Sequence, residues 1–144
     1  MKKFTFPLNR VKDFRQMQAR IEESKLEALY AELRAIDTRE VALIQKRVQA
    51  EKDLRAAKSV TGLELETLSS YQAASNQEQK RMDAARANCR GRIDKQVAVV
   101  TLKRRDVRLL EKLKEQRFEA WEKEMFKELD QQAEDLFLGR WGRL

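Results

Sequence analysis

A single short interruption, residues 59–64 (Ser-Val-Thr-Gly-Leu-Glu), divides an otherwise continuous helix-forming sequence. Gly62 is the first glycine of the chain, and two β-branched residues, Val60 and Thr61, precede it. Thr61 and Glu64 fit the Thr-x-x-Glu capping box, in which the hydroxyl accepts a hydrogen bond from an orphan backbone N–H at a helix start. Two long helices joined by so short a connection lie antiparallel, so the stretch predicts a hairpin.

Few turn-forming residues occur in the rest of the chain. The 144 residues include four glycines and one proline, too few for a domain that folds back several times. Charged residues make up 38% of the chain and hydrophobic residues 42%, a balance typical of narrow apolar seams. The expected fold is therefore all-α, a long antiparallel two-helix coiled-coil hairpin whose second helix is longer than the first.

The boundaries follow from the same signals. The chain is expected to form one domain over residues 1–144, with helix 1 at about 9–58 and a turn at about 59–62. Helix 2 is expected at about 62–138. Gly139 ends this helix and begins a flexible C-terminal tail, residues 139–144.

Apolar residues three or four positions apart predict the seam along which the two helices pack. In helix 1 the predicted seam comprises Val11, Phe14, Met17, Ile21, Leu26, Leu29, Leu33, Ile36 and Leu43. In helix 2 it includes Met82, Cys89, Ile93, Val97 and Val100. Cys89 is interpreted as an inert buried residue because it falls in this seam.

Helix 2 is expected to extend beyond the start of helix 1. A fold about residue 60 places Arg10 opposite Glu111, so the chain after Trp121 has little intramolecular partner. That part still carries apolar residues such as Phe126 and Leu129, more than a solvated single helix exposes. We expect Phe118 and Trp121 to be buried by a partner protein, and local packing is the alternative.

Catalytic and ligand-binding patterns are missing from the sequence. It contains no histidine, one cysteine and no Gly-rich phosphate loop, and its carboxylates are scattered along helix faces. These observations favour a non-enzymatic protein with no cofactor and no metal site. The N-terminus lacks an apolar signal-peptide core, and no apolar run approaches the ~20 residues of a membrane span, which predicts a soluble cytoplasmic protein.

Bases are concentrated in one part of helix 2. Residues 80–108 contain ten lysines and arginines and only three aspartates. Charge runs on long helices are usually solvated faces, and this is the favoured interpretation of Lys103-Arg104-Arg105. A nucleic-acid contact is the alternative, and it predicts binding that weakens steeply with salt.

Three stretches resemble the family of the flagellar export protein FliJ, and the resemblance spans nearly the whole chain. They are the opening Phe4-x-Phe6-x-Leu8 before a basic helix, the turn 61–63 followed by Tyr71-Gln72, and residues 110–117 (Leu-Glu-Lys-Leu-Lys-Glu-Gln-Arg) leading through Trp121 to 127–130. The last of these is the most specific.

The resemblance implies a stalk similar to the rotor stalk of rotary ATPases. In the family, the paired terminal ends enter the pore of the hexameric export ATPase, and the turn end reaches toward the cytoplasmic domain of the export gate. Carried onto this sequence, the ATPase-binding surface includes Arg10, Phe14, Phe118, Trp121, Met125 and Leu129. The export-gate-binding surface near the turn includes Ile44, Val48, Tyr71 and Ala74.

These expectations lead to a functional prediction. The chain is predicted to be a non-enzymatic stalk and adaptor that promotes assembly of the export ATPase and links it to the gate, cytoplasmic and peripherally associated with the inner-membrane export apparatus. Export chaperones are further possible partners, and neither nucleic-acid binding nor direct membrane insertion is expected. The alternatives are a stalk of a non-flagellar (injectisome) type III secretion ATPase, a basic nucleic-acid-binding coiled coil, and a structural rod. The polar residues at 69–70 and 75–77 depart from an ideal contact surface near the turn.

Overall fold

The computed structural model describes residues 2–142 and is all-α over that range. Helix α1 spans Asn9–Ala56 and helix α2 spans Gly62–Trp141, with 48 and 80 residues respectively. The expected fold class, a two-helix hairpin with a longer second helix, is confirmed. Residues 2–6, before α1, have no regular secondary structure.

The turn has the chemistry that the sequence predicts. The backbone N–H of Glu64 donates to Oγ1 of Thr61 at 3.2 Å, and the N–H of Leu65 donates to the Thr61 carbonyl at 3.1 Å. The first bond satisfies a donor that has no partner inside the first turn of a helix, and the second is the first i→i−4 bond of α2. The expected end of helix 1 is therefore correct to within two residues, and the start of helix 2 at Gly62 is confirmed.

The C-terminal boundary differs from the prediction. Helix α2 runs through Gly139 to Trp141, and the N–H of Gly142 still donates to the Leu138 carbonyl at 2.9 Å. Gly139 does not adopt a positive φ, so it continues the right-handed helix at a cost of about 1 kcal/mol relative to alanine. Residues 139–141 of the expected tail are therefore helical, and residues 143–144 lie outside the described range.

The contacts divide the chain into two compact units. The terminal unit comprises the described residues of Met1–Ile21 and Thr101–Leu144, and the turn unit is Glu22–Val100. Each unit contains part of both helices.

Polar contacts between the helices establish the antiparallel pairing of the turn unit. Gln96 donates to the backbone carbonyl of Glu22 at 3.0 Å, and Nη2 of Arg92 lies 2.6 Å from Oε1 of Glu32. Nearer the turn, Arg47 donates to Asn76 at 3.0 Å. Residue numbers rise along one helix as they fall along the other. The carboxylate of Glu32 raises the pKa of Arg92 through its hydrogen bond and its opposite charge.

The core of the turn unit is the predicted seam, apart from Val97, which is 40% exposed. Ile36, Met82, Cys89 and Ile93 are buried against each other, and Leu26, Leu29, Leu33 and Leu43 pack on them. Cys89 is fully buried, and its thiol contacts the carbonyl oxygen of Leu29 at 3.4 Å. Its expected position in the seam is therefore confirmed.

One polar cluster interrupts this core. The guanidinium of Arg86 forms ion pairs with Asp37, Glu40 and Asp83, and its side chain is only 16% exposed. Gln79 also donates to Glu40, at 3.1 Å. Charged hydrogen bonds at one level of a seam fix which residues face each other, because a shift along the helix leaves them unpaired.

On α1, the seam of the terminal unit is not the predicted one. Ala19 is buried and Lys12 and Arg15 are half-buried, whereas the four apolar residues expected there are exposed. Those four are Val11, Phe14, Met17 and Ile21.

The heptad register explains the difference. Counted back from Leu26 in steps of four and three, the inward positions of α1 are 22, 19, 15 and 12. Val11, Phe14 and Ile21 each precede one of these positions by one residue, and a helix turns about 100° per residue. Their side chains therefore point to the flank of the helix pair, although their spacing alone resembles that of a seam.

Candidate interaction surfaces

An aromatic cluster joins the N-terminal segment to α2 in the terminal unit. The ring of Phe4 packs edge-on against Phe118 with centroids 5.2 Å apart, and it lies 5.9 Å from Trp121. Phe118 and Trp121 stack on each other at 5.7 Å. The indole N–H of Trp121 donates to the backbone carbonyl of Lys2 at 3.1 Å.

These contacts change the expectation for Phe118 and Trp121. The sequence favoured burial by a partner protein, but both rings pack locally on Phe4. The alternating Phe4-Thr5-Phe6 was the available signal, because alternation places both phenylalanines on one side of an extended chain. Phe118 remains partly exposed, so the cluster also presents an aromatic surface to solvent.

Phe6 and Asn9 add further contacts to α2. Phe6 is buried, and the guanidinium of Arg117 lies over its ring at 5.7 Å. Lys114 donates to the side-chain oxygen of Asn9 at 3.4 Å. The segment before α1 therefore extends the antiparallel pairing along α2 as far as Trp121.

The six residues of the expected ATPase-binding surface do not form one patch. Met125 is half-buried, and Arg10, Phe14 and Leu129 are exposed. On α1, Phe14 comes one residue before the inward position 15. On α2, Phe118 comes one residue after the inward position 117. The inward positions of this part of α2 are 103, 107, 110, 114, 117 and 121. In an antiparallel pair, positions just before a seam residue lie on one side of both helices, and positions just after lie on the other. Phe14 is therefore on the opposite side from the aromatic cluster.

The last part of α2 exposes large apolar side chains. Leu136 is 73% exposed and Phe137 is 62% exposed, and Phe137 lies 6.4 Å from Trp141, centroid to centroid. Phe126, Leu129 and Leu138 are exposed as well. Residues 122–141 carry six acids and three bases. We call this stretch, residues 122–141, the acidic end of α2.

The four residues expected to bind the gate lie on two sides of the turn unit. Ile44 and Val48 are exposed and follow the inward residues Leu43 and Arg47. Tyr71 and Ala74 precede inward residues, Gln72 and Ser75. By the same rule of antiparallel pairs, the two groups face opposite directions. A single contact surface cannot include all four.

Tyr71 lines an open apolar cleft close to the turn. Its other lining residues are Ala50, Leu54, Glu64, Thr67 and Leu68. The sequence reasoning did not name Leu54 and Leu68 as surface residues because both occupy seam positions. Near the turn the seam opens, so that residues of the seam become accessible from one side.

The basic stretch of α2 is partly engaged in pairing between the helices. Arg86 and Arg92 form ion pairs with acids of α1, and Lys103 is half-buried at a seam position. The ten bases therefore do not form one continuous solvated face.

No group of three or more Cys, Asp or Glu side chains among residues 2–142 is placed to hold a metal ion. Neither described helix contains a window apolar enough to cross a bilayer. No family model matches the chain, and comparison with curated proteins and with solved structures gave no match.

Proposed function

We propose that this protein is a non-enzymatic stalk and adaptor of the flagellar type III export apparatus, similar to the FliJ family. The observation that carries the proposal is the acidic end of α2, whose exposed apolar side chains lie beside the aromatic cluster of Phe4, Phe118 and Trp121. Monomeric soluble proteins rarely expose such a series of large apolar residues unless it binds another protein.

The acidic end has the chemistry for insertion into a ring. Apolar residues on several sides of one helix, among them Leu129, Leu136 and Phe137, would each meet a different subunit of a hexamer. The acids between them remain able to pair with bases that line the pore. This arrangement supports a stalk that binds all around its circumference and so promotes assembly of the ATPase ring.

The cleft at Tyr71 is the proposed gate contact. It is apolar, it is accessible from one side of the turn unit, and Ala74 lies on that same side. Ile44 and Val48, on the other side, would bind a different element of the gate or a chaperone. The protein would then act in the cytoplasm at the periphery of the inner-membrane export apparatus.

The test is the effect of the purified full-length protein on its cognate export ATPase. The wild type is expected to stimulate ATP hydrolysis and ring formation. Leu129→Asp/Leu136→Asp is expected to reduce its apparent affinity at least about tenfold, because two leucines that the complex would bury are lost. Val41→Asp, an exposed apolar residue of the turn unit, is the matched control. No stimulation by the wild type, or full stimulation by the double variant, contradicts the proposal.

A non-flagellar secretion stalk is the second candidate, since the same acidic end suits either ATPase. Parallel assays with a flagellar and an injectisome ATPase distinguish the two. Preferential stimulation of the flagellar enzyme supports the first assignment, and the reverse order supports the second.

A further inference from the structure

The terminal unit has an exposed apolar face that the interhelical seam leaves uncovered. On α1, Phe14 is 55% exposed and Ile21 is 50% exposed; on α2, Leu102 is 60% exposed and Leu109 is 58% exposed. Val11, one turn before Phe14, is exposed as well. We call these five residues the flank face.

The five residues lie on the same side of the helix pair. Val11, Phe14 and Ile21 precede the inward positions 12, 15 and 22 by one residue. Leu102 and Leu109 precede the inward residues Lys103 and Leu110 in the same way. Because positions before a seam residue share a side in an antiparallel pair, the two rows run next to each other.

The seam beneath this face is only partly apolar. Lys12 and Arg15 on α1, and Lys103 on α2, occupy inward positions, alongside Val107 and Leu110. Ala19 is the only buried side chain that the described residues of α1 contribute to the terminal unit. The flank face therefore leaves large apolar side chains exposed at this level, where a third helix would bury them.

The charge around the face is strongly positive. Residues 2–20 carry six bases and one acid, and residues 103–117 carry seven bases and three acids. The residues that border the face on its outer edges are exposed bases: Arg10 on α1, and Arg105 and Lys112 on α2. Asp106, half-buried between the two leucines, is the one acid there.

We propose that the flank face binds an amphipathic helix of a partner protein, with an apolar stripe bordered by Glu and Asp. Such a helix would lie in the groove between α1 and α2, bury the five apolar residues and place its acids opposite Arg10, Arg105 and Lys112. The face is on the opposite side from the aromatic cluster, so this contact is separate from the proposed ATPase contact.

A second copy of the chain does not fit as well. Its acidic end has the right chemistry, but Leu129 lies twenty residues beyond Leu109 on α2, which places it roughly 160° around the helix. Two copies that paired Leu129 with the flank face would use opposite sides of α2, which favours an open chain over a closed symmetric dimer. An anionic membrane fits poorly because Asp106 would then be buried among negative headgroups.

The probe is a synthetic helical peptide of about 20 residues, with leucines at heptad a and d positions and glutamates beside them. The peptide is expected to bind the full-length protein, and Leu102→Gln/Leu109→Gln is expected to weaken its affinity at least about tenfold. Leu63→Gln/Leu65→Gln, two exposed leucines of the turn unit, is the matched control and should leave the affinity unchanged. Circular dichroism of each variant verifies the fold.

Three results would overturn the inference. The first is absence of binding, or equal binding of a peptide with lysine in place of glutamate. The second is concentration-dependent mass in sedimentation that Leu102→Gln/Leu109→Gln abolishes, which would make a second copy the occupant. The third is binding to phosphatidylglycerol vesicles that the same variant abolishes, which would indicate a membrane site. Stimulation of the ATPase should survive in this variant, so the outcome is independent of the proposed function.

Discussion

At the scale of single residues, Phe4 has a role out of proportion to its position near the chain end. Its ring contacts both Phe118 and Trp121, and the carbonyl of nearby Lys2 accepts the indole hydrogen bond. The first residues of a chain are usually poorly ordered unless such contacts hold them in place. Here an aromatic anchor orders them and determines how much of the cluster remains available to a partner.

Phe4→Ala should release the N-terminal segment and expose Trp121. The loss of two aromatic contacts is expected to cost on the order of 1–3 kcal/mol locally. The measurement is quenching of Trp121 fluorescence by acrylamide in a Trp141→Phe background, and quenching should increase. Phe126→Ala, which removes an exposed ring outside the cluster, should leave it unchanged. Unchanged quenching in Phe4→Ala would mean that Phe4 does not shield the indole.

At the scale of the helices, the buried apolar cluster of the turn unit determines which positions of α1 face inward. The core around Ile36, Met82, Cys89 and Ile93 sets the register of the turn unit. The same four-three spacing, continued to positions 19, 15 and 12, places alanine and two bases inward in the terminal unit. The spacing of apolar residues along a helix predicts which of them are buried only where it agrees with this register.

Gly91→Ala should stabilise α2. Gly91 lies inside the helix at an exposed position, and nothing lies within 4 Å of the Cβ that alanine would add. Alanine loses less backbone entropy than glycine on folding, so a gain of up to about 1 kcal/mol is expected. Urea unfolding followed by circular dichroism measures it. Gly139→Ala, two residues before the end of α2, should give a smaller gain. A destabilised Gly91→Ala would reveal a close approach at this site.

Arg86→Met should destabilise the turn unit. Three carboxylates, those of Asp37, Glu40 and Asp83, would lose their shared cation and repel each other. We expect a loss of about 1–3 kcal/mol, discounted from the fully buried case because Asp37 and Asp83 are more than half exposed.

The control for Arg86 is Arg81→Met. Arg81 pairs only weakly with Glu78, at 3.8 Å on the exposed surface, and its loss should change the free energy of unfolding by less than about 0.5 kcal/mol. Both variants are compared by thermal and urea unfolding. Equal effects of the two substitutions would show that the ion pairs of Arg86 contribute no more to stability than a surface pair.

At the scale of the whole molecule, burial and charge are distributed differently between the two units. The turn unit contains the apolar cluster and most of the observed ion pairs between helices. The terminal unit contains two exposed apolar surfaces, one bordered by bases and one by acids. Regions with few buried apolar contacts open locally at low free-energy cost, which suits surfaces that become ordered on binding.

Cys89 reports directly on opening of the turn unit. It is the single cysteine of the chain and is fully buried, so a thiol reagent such as DTNB should react only when the helices separate. The reaction should be slow in buffer and accelerate with urea. A Leu63→Cys variant in a Cys89→Ala background, with an exposed thiol, should react at once. Equally rapid reaction of the wild type would contradict the burial of Cys89 between the helices.

The sequence by itself determined the number of helices, their order and the place of the turn. It did so because capping and glycine chemistry act locally: Thr61 accepts the hydrogen bond from Glu64 whatever lies elsewhere in the chain. The core of the turn unit was predictable for a related reason, since its apolar residues share one heptad register on both sides of the Arg86 cluster.

Only the tertiary structure decided which side of each helix became a surface. Val11, Phe14 and Ile21 have helical seam spacing, yet their one-residue offset turns them outward. Phe118 and Trp121 were expected to bind a partner, but Phe4, more than a hundred residues away in sequence, packs on them. A periodic pattern gives the spacing of a stripe but not its absolute rotation, because that rotation depends on the opposite helix.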